Sequence, residues 1–263
     1  MSQLGSRIGV ALVLLPLVLG LVWIGGWWLF SLAAIGGLIA LHELYTMGRG
    51  LRPIVLGGYV GLLLTLGGAE TGSIAWMVGG IFATILVAFV IFGFSDARPS
   101  ATAAISLTLL GVVWIGGGIS ALLLLRDIPE NGRLVIFTVL IAVFADDTAA
   151  YVAGRALGRH KMAPKISPGK SWEGLVGGTI AAIAVAFFAM YDQSFLTNIE
   201  ALALGAAVAL SSTLGDLFES AIKRDLGVKD SGRILGGHGG VLDRVDSLLW
   251  AGPTAFFVVL ALT

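Results

Sequence analysis

The sequence predicts an all-α fold, a polytopic integral-membrane helix bundle of about nine transmembrane helices with a cytoplasmic N-terminus. Three observations carry that expectation. Apolar residues make up 57% of the 263 residues and charged residues 12%, with a mean hydropathy of +0.96, a balance found in polytopic membrane proteins and not in soluble domains. The apolar residues fall in runs near the roughly 20 residues that a spanning helix needs. The basic residues are concentrated in alternate connections.

Length therefore counts spans and not domains. The nine runs are residues 7–25, 27–47, 53–69, 73–94, 102–125, 133–153, 173–191, 200–223 and 245–262. The first follows Arg7; no small-residue cleavage site comes after it and further spans follow at once, so it reads as an uncleaved anchor. Alternating the spans from a cytoplasmic N-terminus puts 14 of the 16 basic residues inside and leaves only Arg126 and Arg133 outside. Phosphate chemistry would add to the same asymmetry, and both causes place the polar loops in the cytoplasm. Net charge is zero, and there is no cysteine, which excludes disulfides, thiolate metal sites and a cysteine nucleophile. The expected organisation is a scaffold of helices over 1–132 and a catalytic part over 133–263, with cytoplasmic loops at 154–172 and 224–244.

The first five helices carry little chemistry. Their glycine pairs, from Gly25-Gly26 to Gly79-Gly80, suit close helix packing in lipid or short interfacial turns. Trp23, Trp27 and Trp28 flank the first outer turn as an interfacial belt would. His42 and Glu43 are the exception: the pair is either a snorkelling helix end or a contributor to a site from behind its direct contacts. Helix six ends in Asp146-Asp147, two acids in an apolar run, each costing about 2.5–3.5 kcal/mol at mid-membrane and approaching a helix C-terminus that disfavours negative charge. Solvation at the interface is one answer; pairing with a metal or with a basic loop is the other. Adjacent residues lie about 100° apart on a helix, which favours one of the two for the site without saying which.

The next loop brings Arg155, Arg159, His160, Lys161, Lys165 and Lys170 to the start of helix seven through Ser167-Pro168-Gly169-Lys170-Ser171-Trp172-Glu173-Gly174. A basic loop ending at a helix N-terminus is a suitable anion cradle; attraction to anionic headgroups explains the same charges more plainly. Ser167 and Ser171 could bind phosphate or cap the helix. Lys170-Ser171 is no Walker A loop, because it lacks the upstream glycine and follows a membrane helix instead of a strand. Helix eight closes with Asp216, Glu219, Ser220 and Lys223 on one stripe, built for a site or for structural pairing between helices.

The segment from Ser220 to Asp246 is the one long polar stretch between two very apolar runs. It gathers Lys223, Arg224, Lys229 and Arg233 with Asp230, Asp243 and Asp246 around His238-Gly239-Gly240. Basic residues and consecutive glycines hold phosphates, and carboxylates three apart on a helix hold a divalent cation; Asp243 and Asp246 could also simply cap a helix and pair with Lys223 or Arg224. His238 reads as a turn-fixing or phosphate-contacting residue, since a site for Mg²⁺ would be oxygen-rich. The chemistry suggested is phosphoryl or nucleotidyl transfer.

The run Ser220, Ile222, Lys223-Arg224, Lys229-Asp230, Gly232, Leu235-Gly236, His238-Gly239-Gly240, Val241, Asp243-Arg244-Val245-Asp246 resembles, without departure, the signature of the CDP-diacylglycerol synthase (phosphatidate cytidylyltransferase) family. The likeness extends back through Ser167–Gly174 to Asp147, which resembles the Asp of that family's Asp-x-x-(Gly/Ala)-Tyr segment. It implies transfer of CMP from CTP to phosphatidic acid at the lipid bilayer, giving CDP-diacylglycerol and pyrophosphate, in a bacterial-type inner membrane with the site facing the cytoplasm. In that reading Asp216, Asp243 and Asp246, with Asp147 as a further candidate, hold Mg²⁺ with room for a second cation. Lys223, Arg224, Lys229, Lys170, Ser167, Ser171 and Ser220 contact phosphates, and Gly239-Gly240 beside His238 shapes the nucleotide pocket; Lys223, Asp243 and Asp246 stand at the chemistry. No nucleic acid is expected as partner, and the glycine-rich helices permit a homodimer. Two rivals share the features: a CTP-dependent polyprenol or phytol kinase, and an ion-coupled transporter, for which intramembrane acids are also diagnostic. The clustering of charge at one face instead of the midplane argues against the transporter.

Overall fold

A computed structural model of the protein describes residues 15–95, 100–232 and 239–263. Arg7, Arg98, Arg233, Leu235, Gly236 and His238 lie outside the described residues. Within the described residues the apolar runs are helices: α1 (Leu15–Ile24), α2 (Gly26–Met47), α3 (Val55–Glu70), α4 (Ile74–Gly93), α5 (Ala101–Arg126), α6 (Gly132–Leu157), α7 (Trp172–Met190), α8 (Asn198–Asp225), the single turn α9 (Leu242–Val245) and α10 (Leu248–Leu262). Seven helical segments among the described residues are long and apolar enough to cross a membrane, with α9 and α10 counted together as Leu242–Leu262; α1 and α3 are apolar but shorter. The protein is an all-α, multi-pass membrane protein. One departure from helix is a two-stranded antiparallel hairpin, β1 (Lys161–Ala163) with β2 (Ser167–Ser171), in the basic loop between α6 and α7.

The described chain divides into two compact units, Met1–Asp127 with Val228–Val245, and Ile128–Gly227 with Asp246–Thr263. In the first, α3 and α4 meet along small residues. A side chain at Gly61 would strike Thr84, and one at Gly80 would strike the backbone of Leu64 and Thr65, so the two helix backbones are in near contact, as lipid-embedded helices without a hydrophobic driving force require. Thr65 and Thr84 turn their hydroxyls back onto Gly61 O and Gly80 O, which satisfies them inside the contact. Other expected glycine pairs serve differently. Gly25 and Gly26 form the turn between α1 and α2 with φ of 74° and 54°, and Gly36, Gly67 and Gly79 meet nothing. Arg126 closes the α1 end by donating to Val22 O and Trp23 O, each at 2.9 Å, which answers carbonyls that a helix terminus leaves open. Trp23, Trp27 and Trp28 are all exposed, as an interfacial belt demands.

In the second unit α6 runs against α7, α7 against α8, and α8 against α10. Gly174, Gly177 and Gly178 of α7 face Ala150, Ala153 and Asp146 of α6, a small-residue seam of the kind that lets helices approach. The start of α8 carries a reciprocal cap, with Thr197 Oγ1 accepting from Glu200 N and the Glu200 carboxylate accepting from Thr197 N, which fixes where that helix begins.

Candidate active site

The hairpin decides where the basic loop points. Ser171 pairs with Lys161 and Ser167 with Ala163. Ser171 Oγ then accepts from Gly174 N at 3.2 Å as the N-cap of α7, so of its two sequence readings the structure displays the cap. Glu173 in the first turn accepts from His160 N and contacts His160 Nδ1 at 2.7 Å, while Trp172 N donates to His160 O. These contacts lock the hairpin onto the helix start and aim Lys170 at α8. Its Nζ lies 2.9 Å from Asp216 Oδ2 and 3.3 Å from Thr213 O.

A cavity of about 590 Å³ opens at this point, wholly within the second unit. It is lined by Asp146 and Asp147 of α6, by Tyr151 and Arg155 one and two turns on, by Lys161, Ser167, Lys170 and Ser171 of the hairpin, and by Thr213 and Asp216 of α8. Acids and bases from three elements face one space. Asp147 is exposed to it. Asp146 is 1% exposed and also lines it, packed so closely on α7 that a Cβ at Gly178 would collide with Asp146 Oδ1. That oxygen has no hydrogen-bond partner of ordinary geometry among the described residues, though the Ser212 hydroxyl lies close enough to act on the carboxyl. Both acids thus reach the cavity, where helical spacing alone favoured one. Arg155 donates to Tyr151 Oη at 2.9 Å; Arg155 and Lys161, expected as part of the basic anion cradle, line the cavity, and Tyr151 of α6 lines it too, a residue given no role from the sequence whose signal was its place one turn after Asp147.

The remaining residues on the α8 stripe are engaged with each other. Ser220 Oγ donates to Asp216 Oδ1 at 3.3 Å, and Lys223 Nζ pairs with the 1%-exposed Glu219 at 2.6 Å. Arg224 Nε donates to Ile166 O next to the hairpin. Asp246, 9% exposed, lies within electrostatic reach of Asp216 and Lys223, and its backbone carbonyl packs on α8 at Gly215. None of Ser220, Lys223, Arg224 and Asp246 lines the cavity.

Lys229, Gly239, Gly240 and Asp243 belong to the first unit. Lys229 is exposed. Asp243 accepts from Ser231 N at 3.0 and 3.2 Å and from Gly240 N at 2.8 Å, so its carboxylate folds the turn around Gly239, whose φ of 81° suits glycine alone. Glu43 joins the same turn and is only 3% exposed. The open question over the His42-Glu43 pair is thus resolved: Glu43 faces inward, while the ring of His42 meets Tyr59 Oη at 2.7 Å.

Whether these acids suit a metal can be judged from their donors. Among the described residues no group of three or more His, Asp or Glu side chains could hold a metal ion by itself. The cavity nonetheless offers oxygen donors, the carboxylates of Asp146, Asp147 and Asp216 beside the hydroxyls of Tyr151, Ser167, Ser171 and Thr213. Mg²⁺ is commonly held by one or two carboxylates completed by substrate phosphates and water. The donor set fits that mode of binding and not an all-protein cage.

Known proteins resemble from about half to nearly all of the chain. A phosphatidate cytidylyltransferase of Mycobacterium bovis is 33% identical over 279 residues, 97% of this chain and 86% of the relative. One from Bacillus subtilis is 33% identical over 232 residues, 85% of each chain. One from Haemophilus influenzae is 49% identical over 130 residues, 48% of this chain and 45% of the relative. A cavity that sets acids against lysines at the ends of membrane helices is what a nucleotidyl transferase acting in a bilayer needs, and the chain, matching the family's model over residues 5–262, belongs to the cytidylyltransferase family.

Proposed function

We propose that this protein transfers CMP from CTP to phosphatidic acid, releasing pyrophosphate and leaving CDP-diacylglycerol in the membrane. The observation that carries the reading is the cavity itself, where Lys170 and the acids Asp147 and Asp216 meet in a chain whose full-length relatives are named phosphatidate cytidylyltransferases. In the reaction a phosphate oxygen of phosphatidate forms a bond to the α-phosphorus of CTP, and the bond from that phosphorus to the pyrophosphate oxygen breaks. The attacking oxygen is already ionised near neutral pH, so the chain need not supply a general base. Its work is to align two anions that repel each other and to neutralise them as charge moves toward the leaving group.

Lys170 is the central cation of that arrangement, with Lys161 and Arg155 on the same cavity wall and Ser167 as hydroxyl donor. Arg224, Lys229, Ser220 and the Gly239-Gly240 backbone keep their proposed part in holding phosphate or nucleotide, and Lys223 does so if it leaves Glu219. Asp147, Asp216 and Asp246 would hold Mg²⁺, which when bound supplies charge neutralisation on the phosphates. Asp243 is better assigned to building the turn, its oxygens being taken by backbone N–H groups. For topology we propose nine spans, α1 and α3 crossing with the seven longer helices, the N-terminus and the cavity on the cytoplasmic side, and a bacterial inner membrane as the location.

The decisive assay supplies the purified protein with phosphatidate vesicles and CTP labelled separately in cytosine and in the γ-phosphate. Cytosine label entering lipid with release of pyrophosphate is the expected result. Only γ-label entering lipid identifies a CTP-dependent kinase, and no turnover with cation-driven solute flux identifies a transporter; each refutes the proposal. Because the chain has no cysteine, single cysteines placed in each connection and tested with an impermeant thiol reagent settle the topology.

A further inference from the structure

Glu43 sits in the membrane helix α2, 3% exposed, far in sequence from the polar signature segment. Its carboxylate nevertheless accepts three hydrogen bonds from that segment: from Val241 N at 3.1 Å, Leu242 N at 2.9 Å and Ser231 Oγ at 3.3 Å. Ser231 in turn receives Asp243 N on its hydroxyl and gives its own N–H to the Asp243 carboxylate, which also binds Gly240 N. Two carboxylates therefore close the segment on both sides, at Ser231 and at Gly240–Asp243. Charge-assisted bonds of this kind are stronger than neutral ones, and burial keeps water from competing for them.

The contact also explains two glycines. A Cβ at Gly232 would collide with the Glu43 carboxylate, and one at Gly240 with the same carboxylate and with Ser231 Oγ. Neither glycine has a positive φ among those recorded for the chain, so backbone freedom does not demand them; the approach of Glu43 does. Gly239 is different, as its φ requires glycine on its own account.

We infer that Glu43 is a positioning residue for the reaction proposed above: it fixes the turn through Gly240–Asp243 against Ser231 from within the membrane helix, touching no substrate itself. Helix α2, which otherwise belongs to the scaffold, thereby sets the geometry of the signature segment.

The test uses the full chain in lipid nanodiscs. Glu43→Gln keeps the volume but replaces one accepting oxygen by a donor, which faces an N–H or hydroxyl that needs an acceptor. Amide hydrogen exchange at Val241 and Leu242 should rise at least about 10-fold while exchange in α3 is unchanged. In the same sample kcat per folded molecule should fall about 100-fold, as misplacement of a site by about an ångström does, with the melting midpoint within a few degrees of the parent. Gly232→Ala, pressing on Glu43 from the other side, should lower kcat likewise, and in a Glu43→Ala background should add little. Unchanged exchange at Val241 and Leu242, undiminished kcat, or additive losses in the double variant would each overturn the inference. So would failure of both single variants to fold, since Glu43 would then serve folding and not positioning. If the parent itself does not make CDP-diacylglycerol, the reaction is misassigned, yet the exchange measurement still decides whether Glu43 holds the turn.

Discussion

Lys170→Met removes the one lysine, among the described residues, that forms an ion pair with an acid of the cavity. Its Nζ lies 2.9 Å from Asp216 Oδ2, with the two side chains 21% and 35% exposed. An exposed pair of this kind is worth about 0.2–1 kcal/mol, whereas stripping one partner from a buried pair costs about 3–5 kcal/mol. Partial exposure and the neighbouring Asp146 and Asp147 put the loss between these limits, at about 1–3 kcal/mol. Thermal unfolding in detergent should therefore show a midpoint lowered by on the order of 5 °C. The double variant Lys170→Met/Asp216→Asn should recover most of it, because the acid left without a cation is then gone. Mg²⁺ gives a second arm. If the acids accept it, Mg²⁺ at about 100 times its dissociation constant should stabilise the single variant by about 2.7 kcal/mol. NaCl at matched ionic strength, which only screens, should do much less. An unchanged midpoint in Lys170→Met, or no difference between Mg²⁺ and NaCl, would refute the view of this cavity as an acid cluster held by exchangeable cations.

Asp246→Asn is nearly isosteric and should abolish turnover while leaving the melting midpoint intact; near-normal activity would remove Asp246 from the proposed metal set. Gly178→Ala places a Cβ on Asp146 Oδ1 and on the Asp146 carbonyl, so α6 and α7 must part, at a cost of about 1–3 kcal/mol read as a lower midpoint with reduced turnover. Gly67→Ala meets nothing within 4 Å and should be neutral or stabilising by up to about 1 kcal/mol; equal effects of the two would show that the α6–α7 seam does not have the closeness described.

The helices were legible because a membrane span announces itself by length and hydropathy, with little need for periodicity. Even so, the expected 245–262 begins as a separate turn at Leu242–Val245, whose first N–H, that of Leu242, is accepted by Glu43. The hairpin at Lys161–Ser171 escaped notice for a different reason. Its strands have three and five residues, one contains Pro168 and Gly169, and such short polar runs carry no alternation to read. What holds it is the contact of Glu173 with His160, a tertiary fact. Lys170 and Asp216 stood out singly, but nothing in their separation along the chain joins them; only the hairpin does. Glu43 had a signal, an acid beside Leu41, Leu44 and Tyr45 in a span, which fitted two opposite orientations equally well until its partners were seen.

The way each acid is compensated sorts its function. Asp216 and Glu219 are met by lysine ammonium groups, point charges on flexible stems that can swing to a phosphate and leave the acid for a metal. Glu43 is met by two backbone N–H groups and a serine hydroxyl, which cannot be exchanged without unfolding the turn they belong to. Asp243 accepts from backbone in the same way. An acid answered by a movable charge is available to chemistry, and an acid answered by backbone is committed to shape. Within the signature segment Asp243 is of the second kind, whereas Asp246, three residues later, lies within reach of Asp216 and Lys223 yet also accepts from backbone at Ser247, and so combines the two. Substituting the first kind should change how the protein responds to cations, whereas substituting the second should change how the turn exchanges its amide hydrogens, so the two measurements separate chemistry from architecture even where both substitutions stop turnover.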